Sequence, residues 1–153
     1  MDAQLQKKKE KGGVVRVLEI AAGCGVHTLH FCTQLANNIA EDAGSVDGMK
    51  KKLVWMPTDP DAPSRASTNE RRSTFQSSSI EIQAAESLWL GDDSNTPVFD
   101  SVDVIVCINM IHISPWEATL GLMKLAGECL AEDGIMYCYG PYKEGGTAAE
   151  SNL

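Results

Sequence analysis

Apolar and polar positions change period several times along the chain, and each change marks an element. Val14 to Ile20 is a largely apolar, valine-rich run bounded by Gly12-Gly13 and by Gly23. It reads as a buried strand. From His27 to about Ala40, Leu29, Phe31, Cys32, Leu35, Ala36 and Ile39 recur at helical spacing. Glu41 to Lys52, with two glycines and three consecutive lysines, reads as a surface loop. Leu53 to Thr58 predicts a second strand, closed by Asp59-Pro60-Asp61. Residues 64–77 are polar, with Arg65, Arg71 and Arg72, and predict an exposed helix with a thin apolar face. Ile80 to Ala84 alternates as a third strand, and Gly91 to Pro97 is a loop. Val102 to Met110 is the longest apolar run and predicts a central strand buried on both faces. Ser114 as N-cap and Pro115 at the first helical position open a helix that runs to about Leu130. Asp133-Gly134 ends it, and Ile135 to Tyr139 is a fifth strand.

Strands alternating with helices in this order predict an α/β fold, a mostly parallel sheet of about five strands with helices on its faces. Right-handed crossovers leave few topologies for it. The chain has 153 residues, 43% hydrophobic and 22% charged, which suits one domain. The division expected is a polar N-terminal tail over 1–12, a Rossmann-like domain over 13–145, and a flexible end over 146–153.

The formal net charge of −8 and the pI of about 4.8 provide no basic field for a phosphate backbone, so nucleic acid is not an expected partner. The five cysteines, Cys24, Cys32, Cys107, Cys129 and Cys138, include no C-x-x-C pair, and four sit among apolar residues. They predict free thiols in a reducing compartment and no metal site. The lysine-rich start lacks the apolar region of a secretory signal. No apolar stretch approaches the roughly 18 residues needed to span a membrane. The expectation is an intracellular, cytoplasmic protein.

Candidate chemistry begins where the first strand ends. Gly23 and Gly25 follow it at once, and a helix follows them. Glycine lets the chain turn sharply and lets a ligand approach the backbone, and the free N–H groups of the next helix point to the same place. A dinucleotide fingerprint, G-x-G-x-x-G, needs a third glycine where this chain has Thr28. Glu19 stands four residues before Gly23. A carboxylate there repels pyrophosphate but can accept hydrogen bonds from a methionine ammonium or its waters. The pattern E-x-x-x-G-x-G therefore favours S-adenosylmethionine over NAD. Asp59, at the end of the second strand, is the candidate ribose ligand, because a carboxylate accepts two hydrogen bonds side by side. Asp61 is the alternative, and a plain Asp-Pro turn is the non-functional reading.

Four blocks carry a family resemblance: Val17-Leu18-Glu19-Ile20-Ala21-Ala22-Gly23-Cys24-Gly25-Val26-His27, Trp55-Met56-Pro57-Thr58-Asp59-Pro60-Asp61, the run from Val104 to Thr119, and Tyr139-Gly140-Pro141-Tyr142-Lys143. Over about residues 14–145 the chain resembles the methyltransferase-like protein 26 family, which are class I S-adenosylmethionine-dependent methyltransferase-like proteins. The resemblance implies a Rossmann-like methyltransferase core with strand order 3-2-1-4-5. It implies a cofactor site at Glu19, Gly23, Gly25 and Asp59; Ala21, His27 and Asn109 are further candidate cofactor contacts. It also implies that the chain is truncated at both ends, without the family's helical segment before the first strand and its C-terminal strand pair. Gln83-Ala84-Ala85-Glu86 stands where the family commonly has an aspartate near adenine.

Asn109 and His112 fall at the carboxyl end of the long central strand and are the candidate catalytic pair. His112 could take a proton from a nucleophile and Asn109 could orient a polar group; either could instead only satisfy backbone at the turn. Trp116 is expected to pack under its helix. Tyr139, Tyr142 and Lys143 could line a substrate mouth. The leading expectation is a methyltransferase acting on an unidentified small molecule or protein. A truncated, inactive cofactor- or partner-binding domain is the alternative. An NAD(P)-dependent oxidoreductase is a third reading, against which Thr28 and Glu19 speak.

Overall fold

The strands form where β-branched runs can be buried on two faces, and the helices where apolar positions gather on one side. In the computed structural model, residues 13–42, 52–91, 99–144 and 147–148 are described. Expectations for the lysine-rich start, most of the loops at 41–52 and 91–97, and the last residues lie outside them. β1 spans Val14–Ile20, α1 Val26–Asp42, β2 Lys52–Pro57, α2 Ala62–Ser73 and β3 Ile80–Ile82. β4 spans Val102–Ile108, α3 Trp116–Cys129 and β5 Leu130–Tyr139. A small antiparallel pair follows, β6 (Lys143–Glu144) with β7 (Thr147–Ala148), in a sheet of its own.

The main sheet has five strands in the order β3-β2-β1-β4-β5, all pairs parallel, as the sequence predicts. β1 is central. Glu19 pairs with Pro57 of β2 and with Val106 of β4, so the end of β1 lies beside the ends of both neighbours. Two apolar layers flank the sheet. On one side Val17, Trp55, Ile80, Ile82 and Val106 pack with Cys32, Phe31, Leu35 and Ile39 of α1. On the other, Leu18, Ile20, Ile105 and Cys107 pack with Ala118, Leu122, Leu125 and Cys129 of α3. Leu18, Ile105 and Leu122 have no exposed surface. Each side chain so buried contributes roughly 1.5–3 kcal/mol.

Two expectations at α3 are corrected. Ser114 is not its cap: Pro115 takes the cap position with an extended backbone (φ −56°, ψ 151°) and no side-chain cap hydrogen bond. Ser114 instead gives its N–H to the Met110 carbonyl in the preceding turn. Trp116 does not pack under the helix, being 65% exposed. At the other end α3 runs directly into β5. Asp133-Gly134 forms an irregularity inside the strand, which brings Val104 level with Ile135 after Val102 stood level with Leu130.

Candidate functional site

The turn after β1 is built from alternating left-handed residues. Ala21, Gly23 and Gly25 have φ of 54°, 58° and 77°. An L side chain in this region costs on the order of 1 kcal/mol, a strain that Ala21 carries and the glycines avoid. The turn is fastened to the end of β2: Ala22 N donates to Thr58 O at 2.8 Å, while Thr58 N and Thr58 Oγ1 both donate to Glu19 O. Gly23 N donates to Asp59 Oδ2 at 2.8 Å, and Asp61 N to Asp59 Oδ1 at 2.9 Å. Asp59 therefore shapes the glycine turn and its own loop together, and is 7% exposed.

Helix α2 closes the flank. Asp61 caps it by accepting from Ser64 N at 2.8 Å, which holds the Asp61 carboxyl below its ordinary range. Thr68 Oγ1 donates to Gly23 O at 2.9 Å and Arg71 Nε to Cys24 O at 2.9 Å. A Cβ on Gly25 would lie 2.8 Å from Thr68 Cα. Gly25 is therefore required twice, for its φ and for this approach. Arg65 Nη1 donates to the carbonyls of Asp59 and Pro60.

Glu19 lies beneath the turn, 3% exposed. Its Oε2 accepts from Thr28 Oγ1 and from Trp55 Nε1, each at 2.6 Å. Burial raises its pKa, and the two donors and nearby His27 oppose the rise. Thr28, the residue that breaks the dinucleotide fingerprint, is thus one of the two donors that hold this acid. His27 is exposed and stacks on Phe31, ring centroids 6.1 Å apart.

At the end of β4, Asn109 also has a left-handed backbone (φ 57°) and is exposed, with its N–H on Tyr139 O at 2.8 Å. His112 is exposed beside β5's end: its Nδ1 is 3.1 Å from where a Gly140 Cβ would stand, and Tyr142 Cζ is 3.5 Å from the same point. Among the described residues no hydrogen bond joins Asn109 to His112. Ile113 is 75% exposed and Tyr139 58%. The Gln83–Glu86 segment is clamped beside Asp59, through Ala85 N on Asn69 Oδ1 and Asp59 N on Glu86 O.

The sequence reading brought forward Glu19, Ala21, Gly23, Gly25 and Asp59, and these do converge. His27 lies at the start of α1, and Asn109 and His112 lie across the sheet edge at the end of β4. Thr28, Trp55, Thr68, Arg71 and Asn69 were not anticipated. One signal was present: an indole inside a strand needs an acceptor when buried, and a glutamate in the neighbouring strand supplies one. Among the described residues, a cavity of about 440 Å³ beside β3 and one of about 310 Å³ on the sheet face reaching Thr58 and Glu86 lie away from the glycine turn. The turn is identified by its backbone and partners instead. No helix among the described residues is long and apolar enough to cross a membrane.

A sequence profile described as "Protein of unknown function (DUF938)" matches residues 1–153. The chain belongs to the DUF938 family. Its fold is also similar to solved methyltransferase structures. A protein described as PKMT2 from Rickettsia typhi, in complex with AdoHcy, is 18% identical with a TM-score of 0.54, over 80% of this chain and 20% of that one. The glycopeptide N-methyltransferase MtfA, complexed with sinefungin, is 14% identical with a TM-score of 0.57, over 89% and 48%. The DszA carbon methyltransferase is 17% identical with a TM-score of 0.58, over 90% and 31%. This DUF938 chain thus has the Rossmann-like fold of class I methyltransferases and spans between a fifth and about half of the length of these proteins.

Proposed function

We propose that this chain binds S-adenosylmethionine at the turn after β1 and serves methyl transfer to an acceptor held near Asn109 and His112. The observation that carries the reading is the turn itself: left-handed backbone at Ala21, Gly23 and Gly25, at the carboxyl end of the central strand, joined to Asp59. Ligands of open α/β sheets bind at this edge. The residues fit the cofactor. Each Asp59 oxygen accepts one backbone N–H and has a further lone pair for a ribose hydroxyl. Glu19, held by Thr28 and Trp55, keeps the turn's underside in register. Ala21, Gly25, His27 and Asn109 complete the proposed rim. The solved neighbours bound to AdoHcy and sinefungin support the assignment.

When bound, S-adenosylmethionine supplies an electrophilic methyl group on a sulfonium. In-line positioning of the acceptor then does most of the work. We assign His112 to accept the acceptor's proton and Asn109 to orient it. The finer placement in the methyltransferase-like protein 26 family rests on the four motif blocks. Three buried free thiols support an intracellular, cytoplasmic setting. A second reading, a cofactor-binding domain without turnover of its own, is favoured by the exposure of Ile113, Trp116 and Tyr139 on the acceptor side.

Calorimetric titration with S-adenosylmethionine and with NAD tests the ligand. Heat with the first alone is expected; no heat with it would end the proposal. Glu19→Ala, with its melting curve checked, should weaken binding at least tenfold, about 1.4 kcal/mol. Methyl transfer from labelled cofactor in a cell extract distinguishes the enzyme from the binding domain.

A further inference from the structure

Cys107 and Cys138 face each other in register on β4 and β5. Both point to the α3 side of the sheet, in the layer with Ile105 and Met136. Paired residues on adjacent strands lie about 4.8 Å apart, inside the roughly 4.4–6.8 Å Cα window of a disulfide. The two thiols are close enough to influence each other, and burial raises the pKa of both. The two cysteines differ in access: Cys107 is 1% exposed, whereas Cys138 is only partly buried. The other free thiols do not share this arrangement. Cys24 is exposed, Cys32 lies in the opposite apolar layer, and Cys129 shares the layer but stands at the end of α3 rather than on a paired strand.

We propose that Cys107 and Cys138 form an oxidisable dithiol that closes to a disulfide when hydrogen peroxide reaches Cys138. The Cys138 thiolate, the minor form because burial raises the pKa of this thiol, attacks one peroxide oxygen. The O–O bond breaks, hydroxide leaves and takes up a proton as water, and Cys138 becomes a sulfenic acid. Cys107 then gives up its proton and attacks the Cys138 sulfur. The S–O bond breaks, a second water leaves, and the S–S bond forms. Two thiols lose two electrons and two protons, and one peroxide becomes two waters. Burial pushes the Cys107 thiol up to about 12, so closure is the slow step. A relaxed sheet holds the Cβ atoms further apart than the 3.5–4.5 Å of a disulfide. The bond is therefore strained and readily reduced by excess thiol. The proposal stands whether or not the chain binds S-adenosylmethionine.

The test is peroxide treatment of the whole chain, alkylation, and peptide mass analysis, with exposed Cys24 as internal control. The expected result is a peptide joining Cys107 to Cys138, lost again on adding dithiothreitol. Cys107→Ser should stop at a Cys138 sulfenic acid that dimedone traps. Cys138→Ser should leave Cys107 unmodified while Cys24 still reacts. If Cys24 oxidises and no Cys107–Cys138 peptide forms, the proposal is overturned. A joined peptide that survives excess dithiothreitol would overturn its reversibility.

Discussion

The two halves of the sheet's carboxyl edge are built on different terms. Around β1, α1, β2 and α2, polar groups are buried and paired: Glu19 with Thr28 and Trp55, Asp59 with Gly23 and Asp61, Thr68 with Gly23. Around β4, α3 and β5, the same edge leaves Asn109 and His112 exposed beside Ile113 and Trp116. A half whose hydrogen bonds are already made is suited to one fixed ligand, because little has to be ordered when it binds. An open half can meet acceptors of different shape. On the proposed function, cofactor and acceptor demands are separated along this edge, and each can be perturbed alone.

The largest expected effect breaks the closed half. Gly25→Ala places a Cβ 2.8 Å from Thr68 Cα at a positive φ and should cost roughly 3 kcal/mol, from overpacking and strain combined. Gly23→Ala has nothing within 4 Å, so only strain remains, about 1 kcal/mol. Urea midpoints of the two variants give the contrast; equal losses would mean that α2 does not press on the turn. Trp55→Phe keeps the ring but leaves Glu19 with one donor fewer. It should cost about 2 kcal/mol, and a double-mutant cycle with Thr28→Val should show coupling through their common oxygen.

A smaller effect appears in the pH dependence. Burial raises the Glu19 pKa from its ordinary 4.5, so the folded chain binds the proton more tightly than the unfolded one. Its contribution to stability is then greatest below that ordinary value and falls as pH rises through the raised pKa. The stability of wild type relative to Glu19→Gln should fall across this window, as read from melting curves at fixed ionic strength. A rise would show that the donors outweigh burial. The smallest effect belongs to the open half. Ile113→Ser and Trp116→Ala should change stability by no more than about 0.5 kcal/mol and leave S-adenosylmethionine affinity unaltered. Methyl transfer should fall with the same variants if these residues meet the acceptor.

The fold was legible because its apolar runs have clean periods. Val102 to Ile108 and Val14 to Ile20 were readable as strands because both faces are covered. Glu19, Gly23, Gly25 and Asp59 were legible as a constellation because glycines after an apolar strand have few other uses. Their partners were not. Thr68 and Arg71 meet the turn only through the placement of α2, a contact across more than 40 residues that periodicity does not encode. The Pro115 cap was misread as Ser114 because the backbone of Ser114 is engaged in the turn at Met110. Trp116 was misread because a large apolar side chain usually indicates core, and here it faces water.

Trp55 gives the closed half an optical signature. Of the three tryptophans, Trp89 and Trp116 are 52% and 65% exposed, while Trp55 is 3% exposed with its indole N–H on Glu19. A soluble quencher should silence the first two and leave a blue-shifted emission from the third. That residual light comes from beneath the glycine turn and reports on whether the turn is intact, without any label added to the chain.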